Sequence, residues 1–209
     1  MSLFPLFLKL RARKCLVVGA GKISEGKIAG LLAAGAKVTV VAPSATGKIQ
    51  AWHRAKKIIW RKKLYAPGDL RGALLVVAST NSPQVHLRIF RDAQKLGVLC
   101  NIVDVPELCD FYYPSVVRRG ELQIAISTAG ASPSLAKRFR QQFEEQFGPE
   151  YAQWLRQLRR KRKEIRAMKI SLDEKNRLLE EIASPAAFQE FLGEASPAPD
   201  GPEQSEGSA

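Results

Sequence analysis

Short apolar runs alternate with segments of helical spacing along the first half of the chain. The apolar runs, which are typical of strands covered on both faces of a parallel sheet, lie at residues 14–19, 37–42, 73–79 and 98–103. Helices are predicted between them at residues 23–34 and 83–96. The first helix has its predicted buried side at Ile23, Ile28, Leu31 and Leu32. This alternation indicates an α/β fold with a doubly wound parallel sheet of the Rossmann type.

The pattern changes after residue 114. Residues 115–117 and 122–127 flank a turn, which predicts an antiparallel hairpin, and a helix follows from Pro133. Apolar residues of that helix recur every four positions, at Leu135, Phe139, Phe143 and Phe147. Because such a stripe has to be buried, we expect it to pack against another surface, such as a second subunit. Two further helices are predicted at residues 150–168 and 171–191.

These patterns divide the chain into four segments. We expect a Rossmann domain at residues 1–112, a dimerisation segment of hairpin and helix at 113–148, and a small helical domain at 149–193. Residues 194–209 are acidic and rich in Pro, Gly and Ser, and they cannot bury enough apolar surface to become ordered. We predict a disordered tail there.

The charge of the chain indicates an anionic partner. Its 209 residues carry a formal net charge of +13, with a pI near 9.9. Nucleic acid, a lipid surface and a polyacidic small molecule all fit this charge. The basic run at residues 159–163 fits a solvated helix face or a nucleic-acid contact, but it lacks the interleaved aromatic residues that stack bases.

Cysteine usage and the N-terminal sequence predict a soluble, cytoplasmic protein. Cys15, Cys100 and Cys109 have no CxxC spacing, so we expect reduced thiols. The N-terminal run does not have the charge order of a signal peptide, and no window approaches the ~18 apolar residues of a membrane span. His53 and His86 lack metal-ligand spacing with any cysteine, so no metal site is predicted.

A glycine motif stands at the first turn from strand to helix. Gly19 permits a tight turn, and Gly21 lets a pyrophosphate approach the backbone amides at the start of the helix. The third glycine of the usual motif is replaced by Ser24. In its strand–helix–strand context the motif predicts dinucleotide binding.

The ends of two further strands are candidates for cofactor contacts. The acidic residue that usually binds the adenosine ribose is missing after the second strand, where Pro43 and Ser44 stand, so charge does not distinguish NAD from NADP. The strand at 73–79 is followed by Thr80 and Asn81, at the edge of the sheet where ligands bind. Alternatively, Asn81 or Ser82 is only the N-cap of the next helix.

Asp104 follows the strand at 98–103 and is our candidate general base beside a nicotinamide. It is equally consistent with a turn-forming Asp ahead of Pro106. Asp110 is the competing acid, but it precedes an aromatic run and is also explained as a residue that positions that run.

A loop rich in hydroxyl groups precedes the helix at Pro133. Ser127, Thr128, Gly130 and Ser132 stand where several backbone amides converge, which suits a ligand carboxylate. An ordinary capped helix explains the same residues, because Ser before Pro is good capping chemistry.

Five stretches, all in one order, resemble the precorrin-2 dehydrogenase family, the dehydrogenase/ferrochelatase module of sirohaem synthases. They are FPLFLKLRARKCLVVGAGKIS, GAKVTVVAP, VVASTN, NIVDVPELCDFYYPS and AISTAGASPSLAKRFR, and the resemblance covers about residues 4–147. The resemblance implies a homodimer that oxidises precorrin-2 to sirohydrochlorin with NAD. It also implies that Asp104 is catalytic, that Thr128 lies in a substrate-side loop, and that the cofactor is lined by Lys22, Ile23, Pro43 and Ser44.

A polyacidic tetrapyrrole substrate would account for the positive charge, without nucleic acid or a membrane as a partner. The hypothesis requires Asp104 and the redox end of the dinucleotide to face one positively lined hollow. Ferrochelatase activity stays open, because members of the family differ in it. The alternative is a non-catalytic nucleotide-sensing or nucleic-acid-binding protein that uses the basic helical segment.

Overall fold

The computed structural model describes residues 3–195, which divide into two structural units between Tyr113 and Pro114. The predicted disordered tail therefore falls mostly outside the described residues. Its first two positions belong to a helix that ends at Ala195.

The first unit is built on five parallel strands. They are β1 (Lys14–Val18), β2 (Lys37–Val41), β3 (Ile59–Arg61), β4 (Leu75–Ala78) and β5 (Leu99–Ile102). Their order in the sheet is β3-β2-β1-β4-β5, which confirms the Rossmann-type fold. The order reverses at β1, so the ends of β1 and β4 flank the point at which such folds bind ligands.

Alternate residues of the strands pack against two different layers. On one face Cys15, Val17 and Val40 pack with helices α1 (Lys22–Ala33) and α2 (Gly47–Arg54). On the other face Leu16, Val18 and Val76 pack with helix α3 (Pro83–Leu96). Because both faces are covered, the strands read as nearly continuous apolar runs, as the sequence predicts.

The buried side of α1 differs from the prediction. Ile28 and Leu31 are buried as expected, but Ile23 is 58% exposed. Ser24 and Glu25 are buried instead, at 0% and 6% exposure. The reason is that the first turn of α1 follows directly on the carboxyl edge of the sheet, where polar groups of neighbouring loops replace the apolar strands as packing partners.

The second unit begins with the predicted hairpin, formed by β6 (Ser115–Arg119) and β7 (Leu122–Ile126), which pair antiparallel. Four helices follow, α4 (Pro133–Gln146), α5 (Glu150–Ala167), α6 (Leu172–Glu181) and α7 (Pro185–Ala195). Phe143, Phe147 and Tyr151 form a chain of edge-on aromatic contacts between α4 and α5. Phe188 of α7 extends this cluster through contacts with Tyr151 and Trp154.

The single helix predicted at residues 171–191 is wrong, because the structure has two helices there. The Ser184 hydroxyl accepts a hydrogen bond from the Ala187 N–H, and Pro185 begins α7. A proline inside a helix would clash with the preceding turn, whereas at the first position it is well tolerated. Ser-Pro therefore ends one helical segment and starts the next.

Candidate functional site

A crevice of about 750 Å³ lies at the carboxyl edge of the parallel sheet. Four strand ends contribute to its lining, with Gly19 and Gly21 after β1, Pro43 and Ser44 after β2, Lys63 to Tyr65 after β3, and Ser79 to Ser82 after β4. Its volume is in the usual range for sites that bind small ligands and cofactors. Six predicted cofactor residues thus line one crevice: Gly19, Gly21, Pro43, Ser44, Thr80 and Asn81.

The glycine loop fits a dinucleotide pyrophosphate. Gly19 has φ of +104°, and a Cβ atom there would lie 2.5 Å from the carbonyl oxygen of Ser79. Gly21 is the N-cap of α1, with no side chain that caps the helix, and a Cβ atom there would meet nothing within 4 Å. The amides of the first helical turn are therefore accessible to a ligand, in a helix of 12 residues whose dipole favours an anion.

Ser24 has the packing role of the missing third glycine. Its side chain is fully buried, and its hydroxyl lies 2.7 Å from the Ser79 hydroxyl. This hydrogen bond connects the first turn of α1 to the end of β4, on either side of the glycine loop. A short polar residue thus allows the close approach of helix and strand that glycine usually provides.

Glu25 lies behind the crevice lining, next to the lining residue Thr46, and the sequence did not single it out. The Thr46 hydroxyl donates a hydrogen bond to its carboxylate, and this bond, together with nearby Lys22 and Lys48, outweighs burial and holds the pKa of Glu25 below its usual value. The ammonium groups of Lys22 and Lys48 lie 3.2 Å and 3.9 Å from the carboxylate. Glu25 therefore connects α1 to the loop after β2, and the only local signal for it is the i,i+3 spacing from Lys22.

Two predicted cofactor residues stand apart from the lining. Lys22 and Ile23 are the first helical residues of α1, and neither lines the crevice. The Lys22 side chain is 88% exposed and pairs with Glu25. Any contact of these residues with a dinucleotide would come from their backbone amides.

The start of α3 shows which of Asn81 and Ser82 is the N-cap of that helix. Ser82 is the N-cap of α3, since its hydroxyl accepts a hydrogen bond from the Val85 N–H. The capping role thus belongs to Ser82 rather than Asn81. Thr80 and Asn81 remain on the crevice wall.

Asp104 follows β5, which is the strand next to β4 in the sheet. It is exposed and has φ of +62°, a left-handed conformation that is uncommon for a residue other than glycine. It is not part of the crevice lining, so the described residues do not show the single hollow shared by Asp104 and the glycine loop that the sequence hypothesis requires. Its carboxylate is instead presented to solvent at the neighbouring strand end.

A partly buried cation lies near Asp104. The Lys27 ammonium, on α1, lies 3.7 Å from the centre of the Tyr113 ring, a cation–π contact. Burial lowers the pKa of Lys27, and the negative charge of the Asp104 carboxylate opposes this change. Burial also raises the pKa of Tyr113 to about 12, so the ring stays neutral beside the ammonium. Sequence inspection missed Lys27, because nothing local relates α1 to the segment after β5.

Asp110, the competing acid, is bound within the structure. Its carboxylate accepts a hydrogen bond from the Cys100 N–H at 2.8 Å and another from the Gln94 side chain at 2.9 Å. The Asp110 N–H in turn donates to the Cys100 carbonyl at 2.7 Å. Asp110 therefore attaches the segment after β5 to the sheet, which agrees with its alternative reading as a residue that positions the aromatic run.

The hydroxyl-rich loop belongs to the second unit, between β7 and α4. Thr128 Oγ1 accepts a hydrogen bond from the Ser132 N–H and donates one to the Ser132 carbonyl, both at 3.1 Å. Ser132 caps α4 through the Leu135 N–H, and Ser127 accepts from the Ala129 N–H. Ala129 and Gly130 have φ of 50° and 85°. These side chains thus hold the loop in shape, and ordinary helix capping accounts for Ser132.

Other candidate sites have simpler explanations. Residues 159–163 are exposed on α5, and Arg159 pairs with Glu121, as expected for a solvated helix face. All three cysteines are free thiols, and the described residues contain no group of His, Cys, Asp and Glu that could hold a metal ion. Within residues 3–195, no helix is long and apolar enough to cross a bilayer.

The parallel sheet, the glycine loop and the crevice at its carboxyl edge define a dinucleotide-binding protein of the Rossmann class. A family model described as putative NAD(P)-binding matches residues 6–115, and one described as sirohaem biosynthesis protein central matches residues 119–146. The solved structure of SirC, a precorrin-2 dehydrogenase, superposes with a TM-score of 0.72 at 30% identity, covering 92% of this chain and 98% of that one. The chain belongs to the precorrin-2 dehydrogenase family.

Longer relatives share the same region. The siroheme synthase of Methylobacillus flagellatus is 40% identical over 144 residues, which are 69% of this chain and 31% of that protein. The siroheme synthase of Xylella fastidiosa is 36% identical over 186 residues, which are 88% of this chain and 39% of that protein. The chain thus spans about a third of the length of these curated relatives.

Proposed function

We propose that the protein oxidises precorrin-2 to sirohydrochlorin with NAD, and that Asp104 is the general base. The observation that carries the proposal is the order of groups along the carboxyl edge of the sheet. The crevice extends over the ends of β3, β2, β1 and β4, and Asp104 follows at the end of β5, the next strand. A dinucleotide that lies along this edge would have one end beside Asp104.

The chemistry divides between the cofactor and the protein. A dinucleotide held by the glycine loop would supply the acceptor for a hydride, which is a hydrogen together with the electron pair of its carbon bond. Asp104 accepts the proton that the substrate also loses, so the two transfers together remove two hydrogens. An exposed carboxylate suits this role, because it can reach a bound substrate and return its proton to water.

The two acids near β5 differ in how their oxygens are engaged. The Asp110 carboxylate accepts hydrogen bonds from Cys100 and Gln94, and these bonds would have to break before it could approach a substrate. Asp104 is exposed, in a strained backbone conformation of the kind often found at functional sites. We therefore assign the proton transfer to Asp104.

The substrate class comes from the family, and the charge of the chain agrees with it. Precorrin-2 is a polyacidic tetrapyrrole, and the formal net charge of the chain is +13. The Lys27 ammonium is close enough to Asp104 for the two charges to interact. A substrate carboxylate beside Asp104 would therefore also be attracted to Lys27. We further propose that the loop of Ser127, Thr128, Gly130 and Ser132 contributes to substrate binding.

The test is an anaerobic absorbance assay with precorrin-2, with and without NAD. The wild-type protein should form NADH and sirohydrochlorin together, and only when NAD is present. Asp104→Asn should lower kcat by about 10²–10⁴-fold, the usual contribution of a general base. Its affinity for NAD should stay unchanged, because Asp104 does not line the crevice.

Glu107→Gln is the matched control, since it removes another exposed carboxylate from the same segment. This variant should keep wild-type kcat. Full activity in Asp104→Asn would contradict the assignment of the base, whereas the absence of NADH formation by the wild-type protein would contradict the proposed reaction itself.

A further inference from the structure

A groove of about 520 Å³ lies on the second unit, where helices α5 and α7 meet. Its lining combines three arginines with two glutamines and one aromatic ring: Gln153, Arg156, Gln157, Arg159, Arg160 and Phe191. No Asp or Glu belongs to the part of this lining that the structure describes. The volume is in the usual range for small-ligand sites, and the charge of the lining favours an anion.

Four polar residues of the lining form one row along α5. Starting from Gln153, the row continues with Arg156, Gln157 and Arg160, at the i+3, i+4 and i+7 positions of the same helix. Residues at these spacings share one helix face. Cβ atoms of neighbours in such a row are about 5–6 Å apart, so Arg156 and Arg160, four positions apart, can contact one ligand together.

The guanidinium groups of Arg156 and Arg160 are accessible to a ligand. Both residues are exposed. Within residues 3–195, the acid that pairs with an arginine of the groove is Glu121, and its partner is Arg159. Arg156 and Arg160 therefore have no carboxylate partner in the described part of the chain. A planar guanidinium group binds a carboxylate through two parallel hydrogen bonds, which makes arginine well suited to carboxylate ligands.

Phe191 of α7 gives the groove an apolar wall. Its ring is partly buried and lies parallel to the Phe188 ring, with 6.3 Å between the centroids. Phe188 in turn contacts Tyr151 and Trp154 of α5, each at 4.6 Å between ring centroids. The aromatic cluster thus fixes the place of Phe191 beside the arginines. The groove therefore presents an apolar ring next to two groups that bind carboxylates.

We propose that this groove binds the tetrapyrrole substrate, with Arg156 and Arg160 on its carboxylates and Phe191 against its ring system. The identity of the ligand rests on the proposed function, to which the groove adds a binding site on the second unit. A tetrapyrrole presents both features that the lining complements, an apolar ring system and several peripheral carboxylates. Single-stranded nucleic acid is less suited, because it stacks successive bases on several aromatic side chains, and Phe191 is the one aromatic residue among the described lining residues.

Chemical modification of arginines, mapped by peptide mass spectrometry, tests the site directly. The probe is uroporphyrin, a stable, fully oxidised porphyrin with two carboxylates on every pyrrole ring, so that no reaction accompanies binding. Phenylglyoxal modifies exposed arginines. Uroporphyrin at about ten times its Kd should therefore slow the modification of Arg156 and Arg160 about tenfold, by mass action. Arg162, which is exposed on the same helix but does not line the groove, should be modified at its original rate.

Substitution of the arginines gives an independent measurement. In isothermal titrations with uroporphyrin, Arg156→Gln and Arg160→Gln should each raise the Kd about tenfold, the effect of losing one hydrogen bond between charged groups. Arg162→Gln is the matched control, because it removes the same charge from an exposed position of α5 outside the groove, and its Kd should equal that of the wild-type protein. Thermal melting of each variant checks that the fold is kept.

Three results would overturn the inference while the proposed function stands. The first is modification of Arg156 and Arg160 at the same rate with and without uroporphyrin. The second is an equal rise in Kd in all three variants, which would show only a general attraction of anions to positive charge. The third is tighter binding of single-stranded DNA than of uroporphyrin through the same arginines. The proposed function is tested separately: if the wild-type protein formed no NADH from precorrin-2, protection of Arg156 and Arg160 by uroporphyrin would still establish a carboxylate-binding groove.

Discussion

At the scale of single residues, Gly19 and Gly21 have different tasks although one position separates them. Gly19 is required by the backbone, because its φ of +104° and its contact with the Ser79 carbonyl leave no room for a side chain. The backbone does not require Gly21, because its surroundings would accept a Cβ atom. We therefore propose that Gly19 serves folding and that Gly21 serves dinucleotide binding.

The roles of Gly19 and Gly21 can be distinguished by substitution of each residue. Gly19→Ala should lower the free energy of unfolding by about 2 kcal/mol or more, since a left-handed conformation and a backbone clash are combined. Gly21→Ala should change that free energy by less than about 1 kcal/mol but weaken NAD binding about tenfold or more, because its methyl group separates the pyrophosphate from the amides. Urea unfolding and isothermal titration measure the two effects, and equal stability losses in both variants would refute this division.

At the scale of elements, the segment after β5 is held by side chains rather than by regular structure. Asp110 bonds to Cys100 and Gln94, and the Asn101 amide donates to the Phe111 carbonyl at 2.8 Å. Asp104 and Tyr113 lie in or at the end of this segment. The position of the proposed base therefore depends on contacts that it does not itself make.

Removal of the Asp110 carboxylate tests this dependence. Asp110→Ala should lower the free energy of unfolding by about 1–3 kcal/mol, because the buried Cys100 N–H loses its acceptor. Asp110→Asn keeps an acceptor oxygen and should recover most of the loss. Urea unfolding gives the stabilities, and amide hydrogen exchange at Cys100 reports the local opening. An unchanged exchange rate in Asp110→Ala would show that the carboxylate does not hold the segment.

At the scale of the whole molecule, apolar surface on α4 supports the proposed homodimer. Leu135 and Phe139 are each 40% exposed, whereas Phe143 and Phe147, one and two turns further on, join the aromatic cluster with Tyr151. Half of the predicted stripe is thus covered within the second unit. The other half remains available to a second copy of the chain.

The oligomeric state tests this assignment. The wild-type protein should be a dimer in sedimentation or light-scattering measurements. Phe139→Glu should raise the dimer Kd about a hundredfold, since it removes about 1.5–3 kcal/mol of apolar burial and adds a charge to the interface. Gln141→Glu adds the same charge at another exposed position of α4 and should leave the dimer intact. A monomeric wild-type protein would contradict the proposal.

Local pattern in the sequence determined most elements of this protein, although it did not predict α2 and β3. Strands buried on both faces need unbroken apolar runs, and helices need capping residues, so the predicted helix at residues 83–96 agrees with α3 from Pro83 to Leu96. The same rule explains the error at residues 171–191, where Ser-Pro inside an apolar pattern marks a new helix start. The glycine loop was predicted because its requirement is conformational and local.

Only the tertiary structure decided what converges at the site. Lys63 and Arg88 line the same crevice from different elements, and the Lys27 ammonium contacts the Tyr113 ring. The Asp110 carboxylate accepts hydrogen bonds from residues ten or more positions away. Neither spacing nor periodicity encodes these contacts, because they arise when the sheet order brings distant strand ends together. The sequence by itself therefore determined that a dinucleotide loop exists and where it lies, while the packing of the sheet decided which charges surround it.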